Sequence, residues 1–237
     1  MLCSILALLI FFEAVSMDIF PQGAKMPDFV MQLFPECVWR RNTPDTIFLT
    51  FDDGPTPDVT EFVLQQLQQY NAQGTFFCIG KNVQQHPEII EKILSKKHVI
   101  ANHTMRHLNG WKATAEVYKQ EIEACEALLN HHQPLLNEQR MFRPPYGRIT
   151  PSQIREVGKT HQLILWDVLS YDFNENIDGE AVAQLVIKHT EPGSIVVFHD
   201  SVKAFPRLKI ALPIVLDYFT KIGCKFAALT LNTTHGN

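Results

Sequence analysis

The sequence predicts one α/β domain, a distorted (β/α)7-8 barrel of parallel strands, and three observations point there. Seven short apolar runs recur at 46–51, 75–79, 98–102, 140–143, 162–168, 194–199 and 224–230. Helix-like segments alternate with them, near 58–70, 83–96, 114–131, 150–158, 179–190 and 207–221. Chemistry-bearing residues collect just after the apolar runs rather than before them. Strands alternating with helices of this length form βαβ units and hence a parallel sheet. Seven such strands in one chain favour a closed or nearly closed barrel over a small open sheet. The chain has 237 residues and is 46% hydrophobic, enough for one sizeable core.

Along the chain, residues 1–16 read as a secretory leader. Leu2 to Phe12 is almost wholly apolar, and Ala14-Val15-Ser16 offers small residues for cleavage after Ser16. The run is short of the ~20 residues that span a bilayer. No Lys or Arg precedes it, which favours a eukaryotic leader. Residues 17–44 are proline-rich without a clear period and read as an N-terminal arm. The barrel domain then occupies 45–231, and 232–237 is a C-terminal tail carrying the sequon Asn232-Thr233-Thr234. Within the barrel, Pro57 and Asp58 suit the first turn of a helix, while Gly74 and Gly223 each stop a helix before a strand.

Composition excludes some partners. The net charge is −4 with no run of basic residues, so neither nucleic acid, nor a membrane surface, nor another polyanionic partner is expected. No second long apolar run follows the leader, so the mature chain is expected to be soluble, and a monomer is expected. Cleavage would leave Cys37, Cys78, Cys125 and Cys224. Cys78 lies in an apolar run and Cys125 in a helix, both as plain core thiols. Cys37 and Cys224 are the candidates for a bridge between the arm and the last strand.

The polar residues follow the strand-like runs in order. Asp52-Asp53 ends the first, His103 follows the third, Arg143 ends the fourth, Asp167–Asp172 the fifth and His199-Asp200 the sixth. Barrels of parallel strands gather catalytic groups at those C-terminal strand ends. His103 and His107 are four apart, on one face of any helical turn. Two His joined by a carboxylate make a mixed nitrogen and oxygen site for zinc, cobalt, manganese or iron. Without the carboxylate the pair would be two surface or capping histidines. Paired acids at an apolar strand end are costly unless used, which ties Asp52-Asp53 to the His pair. Trp111 is either a sugar-stacking ring or a loop anchor. The sequon Asn102-His103-Thr104 overlaps the His pair and is expected to be inaccessible.

Four segments in order resemble the polysaccharide deacetylases (carbohydrate esterase family four, the NodB-homology domain). They are Thr50-Phe51-Asp52-Asp53-Gly54-Pro55, His103-Thr104-x-x-His107, Arg143-Pro144-Pro145-Tyr146-Gly147 and Val197-Phe198-His199-Asp200. The resemblance spans roughly 45–230 and, with the eukaryotic leader, is greatest to fungal-type chitin deacetylases. It implies Asp52 as general base, Asp53, His103 and His107 as holders of one divalent cation, and Arg143 as the group orienting Asp52. It further implies the backbone N–H of Tyr146 as an oxyanion donor and His199 as general acid. The activity implied is removal of N-acetyl groups from chitin or a related N-acetylglucosamine polymer at the cell wall, with zinc first among the metals.

One segment departs from the family pattern. Where the family reads Asp-x-x-Asp-Trp, this chain has Leu169-Ser170-Tyr171-Asp172-Phe173. Leu169 replaces the Asp that supports the general acid, and lowers the expected pKa of His199. Asp167 is two residues deeper, about 6.6 Å along the strand, too far to substitute. Phe173 and Val197, with Asp172, reshape the wall where the acetyl methyl would sit. Leu169 therefore motivates a second reading, a catalytically impaired wall or carbohydrate-binding protein. An iron oxygenase fits less well, because Arg143 and the Asp52/His199 pair would have no role.

Overall fold

The computed structural model describes residues 24–132 and 140–231. The leader, Cys3 and the sequon at Asn232 lie outside them. Ala24 to Met26 run along the edge of a later strand, followed by helix α1 (Asp28–Leu33) and strand β1 (Cys37–Val38). The barrel succession then begins: β2 (Thr46–Asp52), α2 (Val59–Gln69), β3 (Gly74–Cys78), α3 (Gly80–Gln85), α4 (Pro87–Ser95), β4 (Val99–Asn102) and α5 (Ala115–His132). It continues with β5 (Arg140–Phe142), α6 (Pro151–Val157), β6 (His161–Ile164), β7 (Val168–Leu169), α7 (Gly179–His189), β8 (Ile195–His199), α8 (Phe205–Lys221) and β9 (Lys225–Phe226).

All strand pairings in the sheet are parallel, in the order β1-β6-β5-β4-β3-β2-β8-β7, with β9 alongside the start of β2. The two sides of this sheet meet in one stretch of chain. β6 pairs with β5 and β7 with β8, yet only residues 165–167 separate β6 from β7. The expected run 162–168 is thus one strand split at a seam, and the sheet curls into a barrel around it.

Local chemistry sets the other boundaries. Pro87 divides the expected 83–96 helix into α3 and α4, because proline is favoured in a helix's first turn and breaks its interior. Thr150 and Gln153 form a capping box at the start of α6. Gly223, at φ +87°, takes the left-handed turn that ends α8. Only Lys225–Phe226 of the 224–230 run pairs in the sheet.

Alternation along β2 sorts its residues. Ile47, Leu49 and Phe51 join Val63, Leu67, Leu212 and Leu216 of the flanking helices in the largest apolar cluster. Phe48 instead packs with Phe77, Ala101, Met141 and Ile195 in a separate interior cluster. Thr50 and Asp52 continue that inward face towards the C-terminal strand end, and both contact Arg143 there. No helix among the described residues is long and apolar enough to cross a membrane.

The four described cysteines are free. The expected bridge between Cys37 and Cys224 is not formed, for a topological reason. Cys37 lies on β1 beside β6, whereas Cys224 precedes β9 beside β2, with β5, β4 and β3 between those hosts in the sheet. Cys78 and Cys125 are wholly buried, and burial pushes the Cys125 thiol up to about 12.

Candidate active site

The strand ends converge as the sequence predicts, but tight turns rather than helices present the side chains. Asp53 sits at φ +82°, Thr104 at +64°, His107 at +57° and Tyr146 at +60°. Each such non-glycine residue costs on the order of 1–2 kcal/mol, so surrounding bonds must hold it. At Asp53 these bonds are visible. Asn82 donates to the Asp53 carbonyl at 2.7 Å, and the Gly54 N–H donates to Asp200 Oδ1 at 3.0 Å. A Cβ at position 54 would lie 2.0 Å from Asp200 Oδ2, so only glycine fits against that carboxylate. Thr60 donates to Asp200 Oδ2 at 2.5 Å. Burial, and secondarily the charge of Asp53, lift Asp200 to a pKa of about 8 against these bonds.

The His pair does not lie on a helical turn. The chain from His103 to His107 is irregular, with Thr104 receiving Asn102 Oδ1 at its N–H (2.9 Å). Buried Glu121 of α5 accepts from the Arg106 N–H at 2.9 Å and from Arg106 Nε at 2.8 Å. Nothing in the sequence pattern singled out Glu121. Asn102 is buried with its amide bonded to Ile122 O and Glu126, so its sequon is inaccessible as expected.

Asp53, His103 and His107 bring one ligand atom each within 4.8 Å of one another. Asp53 Oδ1 is 3.2 Å from His107 Nε2 and 3.8 Å from His103 Nε2. His103 Nδ1 donates to the Arg143 carbonyl at 2.8 Å, leaving Nε2 as a bare lone pair. His107 Nδ1 is 3.1 Å from the Tyr146 hydroxyl, a group that can donate or accept, and its Nε2 faces Asp53. Burial holds His103 neutral, with a pKa of about 4. Burial alone would raise Asp53, but His107 contact and the His199, His107 and His103 charges outweigh it, holding the carboxylate well below its usual range.

These residues fit a divalent cation. Asp53 Oδ1 is buried without a hydrogen-bond partner, between the Nε2 atoms of His103 and His107. A buried carboxylate oxygen left unsatisfied beside two imidazole nitrogens is compensated when a cation sits among them. Tetrahedral zinc with bonds of about 2.0–2.1 Å spaces its ligand atoms by roughly 3.4 Å, between the two separations observed.

Asp52 and His199 flank this cluster on neighbouring strands, in register with each other. Asp52 Oδ1 accepts from Arg143 Nη1 at 2.6 Å. The wholly buried guanidinium also donates to Thr50 Oγ1 (2.7 Å), Ile164 O (3.2 Å) and Leu165 O (3.1 Å), and lies 4.0 Å over the Phe77 ring.

His199 corrects an expectation. Leu169 was to leave this imidazole unsupported and lower its pKa, yet Asp172 supplies the carboxylate. Asp172 Oδ1 lies 2.7 Å from His199 Nδ1, and its Oδ2 accepts the His199 backbone N–H at 2.8 Å. The cause is the turn after β7. Tyr171 at φ +59° swings the chain back, and Arg207 Nε anchors the Asp172 carbonyl at 2.7 Å. Burial opposes the charged imidazole, but Asp172, Asp53 and Asp52 outweigh it and raise His199 to about 9. Asp167 takes no part, being bonded to Ser194 Oγ at 2.5 Å.

The remaining candidates divide. Phe173 stands edge-on to His199, with ring centroids 5.1 Å apart. Leu169 and Val197 are paired neighbours on β7 and β8, both buried in one apolar cluster. Tyr146 is exposed and packs its ring 4.5 Å from His107. Trp111 donates to Ile149 O at 3.4 Å, which anchors its loop, and its face carries the Arg148 guanidinium at 5.1 Å. A cleft of about 670 Å³ lined by Cys37, Trp39, Arg40, Arg41 and Thr230 opens at the opposite, N-terminal strand ends, away from all of these groups.

A curled parallel barrel with this ordered set of residues is the architecture of the polysaccharide deacetylases. The family profile for polysaccharide deacetylase matches residues 40–163, and the chain belongs to that family. It is 32% identical to a peptidoglycan-N-acetylglucosamine deacetylase of Bacillus cereus over 192 residues, covering 80% of this chain and 88% of that one. It is 33% identical to a chitooligosaccharide deacetylase of a Bradyrhizobium species over 177 residues, covering 71% and 79%. A crystal structure of a peptidoglycan N-acetylglucosamine deacetylase bound to an N-oxidanyl-benzamide superposes with a TM-score of 0.76 at 27% identity, covering 82% of this chain and 91% of that one. Of a second Bacillus cereus relative bearing the same name, the chain spans 56% of the length.

Proposed function

We propose that this chain is a metal-dependent hydrolase that removes N-acetyl groups from N-acetylglucosamine units of chitin or a related cell-wall polysaccharide, releasing acetate. The observation that carries this reading is the pairing of Asp52 and His199 on adjacent strands, one on an arginine and one on a carboxylate, around the Asp53/His103/His107 cluster. The names of the relatives support the substrate class.

Asp53, His103 and His107 would hold one divalent cation, zinc first. When bound, such an ion polarises the acetyl carbonyl and acidifies water. Asp52, held by Arg143, accepts the proton of the attacking water. The backbone N–H of Tyr146 is assigned as the oxyanion donor, a contribution of about 3 kcal/mol in comparable sites. His199 is charged below about pH 9 and returns a proton to the departing amine, the step that makes it a leaving group. Leu169, Val197 and Phe173 form the apolar wall for the methyl group. Asp172 beneath His199 is why we favour turnover over an impaired, carbohydrate-binding protein. We further assign the chain to the cell wall or cell surface, on its apolar leader alone.

Metal analysis and acetate release on the same purified sample, with chitin oligomers and added zinc or cobalt, test this. Stoichiometric metal with acetate release is expected. Bound metal without acetate at any pH would overturn it.

A further inference from the structure

Arg207, in the first turn of α8, is buried and forms no ion pair among the described residues. Its side chain is spent on main-chain oxygens instead. Nε donates to the Asp172 carbonyl at 2.7 Å, and Nη2 donates to the Lys203 carbonyl. Those carbonyls belong to the loops that follow β7 and β8, one carrying Asp172 and the other leading away from His199. The donor itself is fixed. A Cβ at Gly179, the first residue of α7, would lie 2.5 Å from Ile210 Cβ and 2.9 Å from the Arg207 carbonyl, so α7 abuts this turn of α8 without slack.

The turn that Arg207 holds does not rest on local preference. Tyr171 at φ +59° takes a conformation that non-glycine residues avoid. Its local bonds are Asp172 N–H to Ser170 Oγ at 3.3 Å and Asn174 N–H to Tyr171 O at 2.9 Å. Arg207 adds a tie from 35 residues away. On the other side of the turn, both Asp172 carboxylate oxygens are taken by His199. Asp172 is thus gripped at its carbonyl by Arg207 while its carboxylate serves the general acid. From this chain of contacts, and resting on the deacetylase reading, we propose that Arg207 is a positioning residue for the general acid, fixing the Asp172 turn and through it the imidazole of His199. The sign of its effect separates this role from a general electrostatic one. Losing a nearby cation would favour the protonated imidazole and move its titration alkaline. Losing the aim of Asp172 disfavours that form and moves the titration acidward, because Asp172 is the carboxylate in contact with Nδ1, with Asp53 and Asp52 behind it.

Arg207→Met keeps an apolar stem and removes the donors. On chitin tetramer with the zinc-loaded protein it should lower kcat about 10²-fold, the loss that a displacement of about 1 Å produces, with KM nearly unchanged. Followed by NMR, zinc-loaded or chelator-treated, its His199 should titrate about one pH unit lower, a tenfold change in the proton equilibrium. Arg207→Lys, whose ammonium can reach one carbonyl, should recover part of both. Added to Asp172→Asn, Arg207→Met should cost less than about threefold more, because the two act through one contact. Multiplied losses in the double variant, or a His199 titration that is unchanged or moved alkaline, would overturn the role. If Arg207→Met does not fold, Arg207→Lys carries the same comparison with a smaller drop. The titration does not depend on turnover. If no acetate is released yet Arg207→Met moves His199 acidward, the deacetylase reading fails and the positioning role stands. If acetate is released and the substitution moves neither kcat nor the titration, the reverse holds.

Discussion

The two proton-handling groups of the site are braced by opposite means. Asp52 leans on Arg143, a wholly buried cation that reaches across the barrel interior and spends its other donors on Thr50, Ile164 and Leu165. His199 leans on Asp172, an anion delivered by a strained turn outside the regular strands. The first brace is part of the barrel's frame, and the second is attached to its rim. Disturbing the first should therefore cost stability and activity together, whereas disturbing the second should cost activity with little loss of fold.

The harshest break is Arg143→Ala. It leaves Asp52 a buried charge without a partner, and losing one member of a buried pair costs about 3–5 kcal/mol. Urea denaturation should show that loss alongside abolished acetate release. Asp172→Asn is the contrasting variant. Removing a carboxylate that orients a catalytic histidine costs up to about 10⁴-fold in kcat, as in the serine-protease triad. Its denaturation midpoint should move much less than that of Arg143→Ala, and equal destabilisation of the two would erase the distinction drawn above.

The pH response sharpens the same contrast. His199 in the fold sits near 9, above the ordinary imidazole value of about 6.5. Its contact with Asp172 thus stabilises the fold fully below about pH 6.5, and the stabilisation fades as pH rises through 9. Chelator-treated protein followed by imidazole NMR should titrate His199 near 9. The alkaline limb of kcat/KM should lie somewhat lower, because a divalent cation beside Asp53 disfavours a second positive charge. In Asp172→Asn both should shift acidward. The smallest effect is reserved for Leu169→Asp. With Asp172 already in contact, a second carboxylate should raise acetate release by less than about threefold while destabilising the apolar cluster it enters. A large gain would show that Asp172 is not the operative partner.

How much of this was legible beforehand follows the same division. The strand ends carrying Asp52, Asp53, His103, Arg143 and His199 follow from apolar runs with polar residues after them, because parallel strands must all present their C-terminal ends together. The Asp172 contact was not legible. It depends on Tyr171 adopting a left-handed φ, which a non-glycine residue gives no sign of in sequence. Spacing likewise suited His103 and His107 to a helical turn, while the turn they occupy is held by Glu121 from α5, a long-range bond without local signature. Asp200 was visible beside His199, but its contact with Gly54 joins residues 146 apart.

The split between β6 and β7 has one more consequence. Ile164 and Leu165, whose carbonyls receive Arg143, lie at the seam where one strand passes from β5 to β8 and the ladder is interrupted. The same guanidinium that aims the base therefore ties off main-chain groups left over by ring closure. Turnover then becomes a readout of assembly: a chain whose seam has not zipped has nowhere to seat Arg143, and so no oriented base. Acetate release during refolding should lag behind helix formation and rise only with the last, ring-closing step.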